Sequence, residues 1–339
     1  MFKYIVKRIL LLFMTLFVIM TICFVLIKLL PVTFEGTGPQ LEAEMARREA
    51  LGYGKPIMTQ YGIYIKNIFT KWDWGTSWKI DYSHPVTEVL LSRVTPTILL
   101  NIYSIVFSIP LGIGLGIFAA LKKNKWQDHL ISTVVMIFVS VPSYVYAFLV
   151  QYILFFKLGW FPGIVSSLRE AGLALGIPSD TVIDMLARGD VTRLWLSWPM
   201  FKSMILPIMA LSFGTIAGLA RFTRAELTEV LTSDFMLLAR AKGLTKSQAT
   251  LRHAMNNAMV PILPMIIGEF AAILSGSLII EQIFAVPGVG ALYLQSITLK
   301  DYDVFMFSTA FYTIIGLGAS IIVDLSYGFI DPRIRMGEK

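Results

Sequence analysis

Long uncharged apolar runs dominate the chain. A helix needs about 20 mostly apolar residues to cross a hydrocarbon layer of about 30 Å. Runs of that kind lie at 9–27, 94–121, 130–156, 204–220, roughly 258–280, and 304–323, the last continuing past Asp324 toward Ile330. The pattern predicts an all-α integral membrane protein with six transmembrane helices. The fourth run is the shortest, and the fifth contains a carboxylate, Glu269. Lys3, Lys7 and Arg8 precede the first run, as in a signal peptide. That run is too long for a usual signal core, and no clear A-x-A cleavage site follows, so it reads as an uncleaved first helix.

Composition agrees with the pattern. Of the 339 residues, 56% are hydrophobic and 15% charged, against about 25% charged in soluble domains. That much apolar area cannot be buried in one soluble core, and the same numbers exclude disorder. Cys23 is the single cysteine, so there is no disulfide framework and no multi-cysteine metal site. Within an apolar helix it reads as inert packing. His84, His129 and His253 lie far apart in sequence.

Six crossings place both termini on one side, and basic residues mark the cytoplasmic side. With residues 1–8, 122–128, 221–255 and 331–339 inside, the inner segments carry 15 Lys/Arg and 6 Asp/Glu. The longer outer segments 31–93, 159–203 and 285–303 carry 12 and 13. Both termini are therefore expected in the cytoplasm, and the net charge of +7 needs no nucleic acid.

Outside the membrane, segment 31–93 holds a charged helical stretch at 41–50, then Gly52-Tyr53-Gly54, then Trp72-Asp73-Trp74-Gly75-Thr76-Ser77-Trp78. The tryptophans read either as interfacial residues of a small subdomain or as a docking surface for an extracellular partner. Segment 159–203 is too long for a structureless loop, so one or two short helices are expected. Pro178-Ser179-Asp180 marks one start, with Ser179 as the cap.

The 221–260 segment carries the strongest local signals. Asp234 is a plausible N-cap for a short helix through Lys242. Gly243 suits the left-handed position that ends it. Thr245 and Gln248 form a capping box for a second helix that runs into the fifth span. The short helix mixes Met236, Leu237, Leu238, Ala239 and Ala241 with Arg240 and Lys242. It reads as a helix lying on the lipid surface or as a knob seated in a groove of a cytoplasmic partner. Small residues beside Gly243 would permit close approach.

Ala239-Arg240-Ala241-Lys242-Gly243-Leu244, followed by Arg252-His253-Ala254 and Asn257-Ala258, resembles the coupling loop of type I ABC importer permeases. The resemblance is closest to the oligopeptide and dipeptide branch. It extends to Tyr4-Ile5-Val6-Lys7-Arg8-Ile9-Leu10, Trp74-Gly75-Thr76-Ser77 with Pro85-Val86, and Arg93-Val94-Thr95-Pro96-Thr97-Ile98. Later matches are Leu206-Pro207, Arg221-Phe222-Thr223-Arg224, Glu281-Gln282-Ile283-Phe284, Pro287-Gly288-Val289-Gly290 and Ile330-Asp331-Pro332-Arg333. The general motif of such permeases, aligned on Gly243, wants Glu-Ala-Ala at 237–239 and Leu-Pro at 255–256. This chain has Leu237-Leu238-Ala239 and Met255-Asn256, a departure that the peptide branch shares. The 159–203 segment is longer than usual for that branch.

The resemblance implies a MetI-like permease fold in a bacterial or archaeal cell membrane. It implies an N-terminal helix with an extracellular subdomain at 1–93, a permease domain at 94–330 with its coupling loop at 221–257, and a cytoplasmic tail at 331–339. It further implies a second homologous permease, two cytoplasmic ATPases that bind ATP-Mg, and an extracellular binding protein that delivers peptide. Asp234, Ala239, Arg240, Ala241, Lys242, Gly243 and Leu244 would then couple to an ATPase. The chain has no G-x-x-x-x-G-K-[ST] phosphate loop, so no ATPase site, catalytic residue, bound cofactor or metal is expected of it.

Carboxylates within the membrane are candidates for a transport pathway. Glu269 could meet a peptide ammonium group in a wet cavity, or satisfy itself by an interhelical bond or by the partner permease. Glu281, beside the gate region, reads as an interfacial, solvated carboxylate. Asp324 reads as a cap or a local pair. Pro142, and Pro110 with Gly112, Gly114 and Gly116, suggest kinks and close helix approach or ordinary membrane-helix composition. Other readings stay open. The same fold could import nickel or another chelated solute, and a stand-alone channel or ion-coupled carrier would want several paired carboxylates inside the spans. An intramembrane enzyme lacks its motifs, since neither H-E-x-x-H nor G-x-S-x-G occurs.

Overall fold

Apolar periodicity resolves into helices throughout the computed structural model, which describes residues 2–30, 39–50, 52 and 54–330. The helices are α1 (Phe2–Leu29), α2 (Pro39–Ala50), α3 (Ile57–Lys71), α4 (Val86–Leu121), α5 (Trp126–Ser140) and α6 (Ser143–Val150), the last running on as a π-helical turn, Gln151–Lys157. Next come α7 (Leu168–Ala174), α8 (Ser179–Arg188), α9 (Thr192–Trp195), α10 (Trp198–Leu231) and α11 (Asp234–Ala241). The chain ends with α12 (Lys246–Ala249), a π-helical turn (Thr250–Ala254), α13 (Met255–Ala271), α14 (Leu278–Ile283), α15 (Val289–Thr298) and α16 (Tyr302–Ile330). Among the described residues no strand forms; Thr76 and Pro85 make one isolated antiparallel bridge. Tyr53 of the Gly52-Tyr53-Gly54 stretch, the match at Asp331-Pro332-Arg333 and the expected tail at 331–339 lie outside the described residues.

By length and composition, Val6–Leu29, Val86–Leu121, Trp198–Leu231 and Tyr302–Ile330 are each able to cross a membrane. Trp126–Ser140 with Ser143–Lys157 makes up to five, as a pair bent by 107°. The run at 130–156 is therefore not one straight helix. Pro142 lacks an N–H and disfavours helical backbone in the residue before it, and Val141 is extended (φ −86°, ψ 130°). The run at 258–280 is broken too. α13 stops at Ala271, and a turn through Gly276 (φ +58°) leads to Ser277, whose Oγ accepts from Ile280 N at 3.3 Å and starts α14.

The chain forms two units, Met1–Thr95 with Gly288–Ile321, and Pro96–Pro287 with Ile322–Lys339. In the first, Met20 and Phe24 of α1 join Ile68, Trp74, Val86, Val89, Leu90, Leu292 and Val304 in a core. Cys23 packs at its edge. Thr21 Oγ1 and Tyr61 OH share a 2.6 Å hydrogen bond that ties α1 to α3. The tryptophan patch splits. Trp74 is buried against Phe307, with ring centroids 5.1 Å apart, whereas Trp72 is exposed. The loop that carries it is held from below by Asp301 Oδ2, which accepts from Ser77 Oγ (2.6 Å), Trp78 N (3.2 Å), Lys79 N (3.1 Å) and Ile80 N (3.1 Å). Asp303 Oδ2 accepts from Thr76 N at 3.2 Å. Gly75 (φ +115°) permits this, because a Cβ there would stand 2.6 Å from Asp303 Cγ.

In the second unit α10 is the hub, packed by α5, α6 and α13. Gly112 and Gly116 of α4 meet α10 closely. A Cβ on Gly112 would lie 2.8 Å from Leu219 Cβ, and one on Gly116 would lie 2.6 Å from Thr223 Cβ and 2.7 Å from the Ala220 carbonyl. Gly114 has nothing within 4 Å. Small residues at i and i+4 thus let two backbones approach, which is how helices attract where lipid is as apolar as leucine. Ser104 Oγ and Ser212 Oγ meet at 3.1 Å across the same pair of helices. The 168–195 stretch folds into three short helices, α7, α8 and α9, where one or two were expected. The α8 cap is Pro178 rather than Ser179, whose Oγ instead accepts from Arg169 Nη2 at 3.2 Å.

Candidate functional site

The connection from α10 to α13 builds a short outlying helix from purely local rules. α10 ends at Leu231, Thr232 caps it, and Ser233 adopts extended backbone (φ −75°, ψ 154°) as the N-cap of α11. Asp234 is therefore not the cap. It is the first helical residue, where a carboxylate still favours the positive end of the helix dipole. Ser233 Oγ donates to the Val230 carbonyl at 2.6 Å and makes no capping bond to α11. The helix ends at Ala241, one residue before the expected Lys242, which is its C-cap.

Termination follows the Schellman pattern. Gly243 N donates to the Arg240 carbonyl at 3.0 Å, and Leu244 N donates to the Ala239 carbonyl at 3.4 Å. Gly243 has φ +89°, and a Cβ there would meet nothing within 4 Å. Within this chain its requirement is conformational rather than one of close packing. The capping box forms as the sequence predicts: Gln248 N donates to Thr245 Oγ1 at 3.3 Å, and Thr245 N donates to Gln248 Oε1 at 3.1 Å. A π-helical turn at Thr250–Ala254 then leads straight into α13.

α11 has two faces. Met236 and Ala239 are buried with Ala120, Leu227, Ala249, Ala254 and Ala258. Leu237 is 64% exposed and Leu238 57% exposed. Arg240, Ala241, Lys242 and Gly243 are exposed as well, and Leu244 is half-buried against the same small core. The helix is pinned by small side chains on its inner face and presents apolar and basic groups outward.

One pair near this site escaped sequence reading. Asp128, fully buried at the start of α5, accepts from Arg224 of α10 through both carboxylate oxygens; the Nη2 to Oδ2 distance is 2.8 Å and Nε binds Oδ1. Asn124 N adds a third bond at 3.0 Å, from a residue with φ +64°. The pair fixes the 122–125 turn to the end of α10. In the sequence Asp128 reads as an ordinary loop charge, and Arg224 only as part of the Arg221-Phe222-Thr223-Arg224 match. The available signal was that Asp128 is the sole carboxylate of its basic segment.

The intramembrane carboxylates part ways. Glu281 is fully buried, not solvated. Its Oε1 accepts from Thr97 Oγ1 at 3.0 Å and from Ser277 N at 3.4 Å, beside Gly276, where a Cβ would collide with Oε1. A carboxylate without water needs such donors, and the break before α14 supplies one. Glu269 is half-buried on α13 and makes no hydrogen bond or ion pair among the described residues. Asp324 sits inside α16, so it is not a cap. Asp234, Glu269 and Glu281 form no common cluster.

Residues 112–336 match the binding-protein-dependent transport system inner membrane component family, and residues 1–100 match the N-terminal part of such membrane components. The dipeptide transport system permease protein DppB of Lactococcus lactis subsp. cremoris is 33% identical, over 99% of this chain and 100% of that protein. The glutathione transport system permease protein GsiC of Escherichia coli K12 is 30% identical over 99% of both. A solved amino acid ABC transporter is 21% identical, with TM-score 0.44, over 71% of this chain and 94% of that one. The apolar helices, the outlying helix with its glycine stop, and a family match over most of the chain lead to one statement: this protein belongs to the family of binding-protein-dependent transport system inner membrane components.

Proposed function

We propose that the chain is a membrane-spanning subunit of an ATP-driven importer of peptides, coupled through α11 to cytoplasmic ATPases. The observation that carries the coupling role is the two-faced build of α11. Met236 and Ala239 hold it to the unit, while Leu237 and Leu238 stay exposed on the same eight-residue helix. An apolar, basic-edged helix held out in this way suits a groove in a partner protein. The peptide assignment leans on full-length similarity to a dipeptide permease.

In this reading a second permease of the same family completes the pathway. Two ATPases bind ATP-Mg, and an extracellular binding protein delivers the peptide. Closure of the ATPases moves α11, and the continuous helical run from Lys246 to Ala271 carries that movement into the membrane as a lever. In this reading ATP-Mg is bound by the partner ATPases, not by this chain. Glu269, half-buried and without a hydrogen bond or ion pair among the described residues, meets either the peptide's ammonium group or the second permease.

The experiment is co-purification from the native membrane in mild detergent, followed by ATP-driven uptake of a labelled dipeptide in proteoliposomes. Recovery of a second permease and of ATPases with phosphate loops, with uptake that needs ATP, is the expected result. A homo-oligomer with no ATPase would overturn the reading.

A further inference from the structure

Beside α11 lies a cavity of about 390 Å³ that transport alone does not require. It opens where two long apolar helices end, α4 at Leu121 and α10 at Leu231, both of which line it. Its charged lining is of one sign. Lys123 and Lys125 come from the turn after α4, Arg240 comes from α11, and no Asp or Glu lines it. None of the three cations makes an ion pair among the described residues. Hydroxyls add to the set. Thr228 Oγ1 is buried without a hydrogen-bond partner, and Thr232 Oγ1 donates to the Glu229 carbonyl at 2.8 Å, which leaves its lone pairs free to accept.

We infer that this cavity binds a phosphate group. Three cations of one sign around one space, with no carboxylate among them, favour an anion there. Phosphate oxygens would accept from the two lysines and from the planar arginine fork. The volume falls within the range of small-ligand pockets, about 300–1,000 Å³. Basic pockets at the ends of apolar helices suit the headgroups of anionic lipids, and a soluble phosphate offers the same oxygens. Either ligand ties Arg240, from the exposed side of α11, to Lys123 and Lys125 on the α4–α5 turn. The site stands whether or not α11 couples to an ATPase.

The test uses the full chain in mild detergent, wild type beside K123Q/K125Q/R240Q. One arm equilibrates it with equal amounts of phosphatidylglycerol and phosphatidylcholine and reads retained lipid by native mass spectrometry. The other reads melting temperature in inorganic phosphate against chloride at matched ionic strength. A phosphatidylglycerol preference that falls about tenfold or more in the triple variant, in line with the strength of basic contacts to anionic lipid, supports the site with lipid as its source. A phosphate-dependent rise in melting temperature, lost in the variant and without lipid preference, supports it with a soluble source. Wild type and variant alike in both arms overturn it, and the cations are then solvated charges at helix ends. K123R/K125R/R240K keeps charge and should keep binding. If the triple variant misfolds, R240Q alone decides by a several-fold loss or by none.

Discussion

Ser77 Oγ donates to Asp301 Oδ2 at 2.6 Å, across 224 positions of chain. The same oxygen receives three backbone N–H groups from Trp78, Lys79 and Ile80. One carboxylate therefore organises the loop that the sequence marks by its tryptophans.

Replacing that carboxylate should loosen the loop. Asp301→Ala leaves buried donors unpaired, each at a cost of roughly 1–3 kcal/mol, so a loss of about 3 kcal/mol is expected. Asp301→Asn keeps one acceptor and should cost less. Thermal melting followed by tryptophan fluorescence, with proteolysis mapped to 72–82, reads the effect. An Asp301→Ala protein that melts like wild type would remove Asp301 from this role.

Gly243 tests the turn after α11. Left-handed backbone costs a residue with a Cβ about 1–2 kcal/mol, and β-branched residues bear it worst. The space around Gly243 is open, so conformation alone is at stake. Gly243→Val should abolish most ATP-driven dipeptide uptake with the subunits still co-purifying. Gly243→Asn, which tolerates this region, should keep most of it. Equal uptake by the two variants would argue against the turn.

Gly116 and Gly114 sit two residues apart on α4 and should behave oppositely. Gly116→Ala places a methyl against Thr223 and the Ala220 carbonyl, and overpacking of that kind costs about 1–3 kcal/mol. Gly114→Ala meets open space and gains helix propensity of up to about 1 kcal/mol. Melting temperatures in detergent should fall for the first and hold or rise for the second. A matching fall in both would mean that close approach to α10 is not the reason.

The Asp128–Arg224 pair predicts strong coupling. Arg224→Leu strands a fully buried carboxylate, at a cost of about 3–5 kcal/mol for a wholly buried pair; the arginine side chain is 34% exposed, which places the expected loss at the lower end. Asp128→Leu/Arg224→Leu should recover part of it. A double-mutant cycle by thermal melting checks this, and simple additivity would refute it.

Glu269 predicts a change in preference rather than in fold. If it meets a peptide ammonium group, Glu269→Gln should lower uptake of cationic dipeptides relative to neutral ones, with assembly intact. If the ratio stays at the wild-type value, the carboxylate serves the second permease instead.

Local rules made much of this molecule legible from its sequence. Gly243, Thr245 and Gln248 announce their roles because a left-handed stop and a capping box depend on residues a few positions apart. The apolar runs announce α1, α4, α10 and α16 because a membrane imposes one length on every crossing helix. What sequence alone misplaced depends on distant partners. Glu281 reads as solvated until Thr97 is brought to it, 184 positions away. Asp128 reads as a loop charge until Arg224 arrives. Ser233 displaced Asp234 as a cap because both are good caps and the backbone of α10 decided between them.

The break between α13 and α14 limits what can surround this chain. Residues 272–277 are not helical, although they lie inside an apolar run. Acyl chains offer nothing to a bare carbonyl, so such backbone is tolerated at that depth only where it is covered by protein or reached by water. Those carbonyls must therefore be covered by protein, from this chain or a neighbour, or be reached by water.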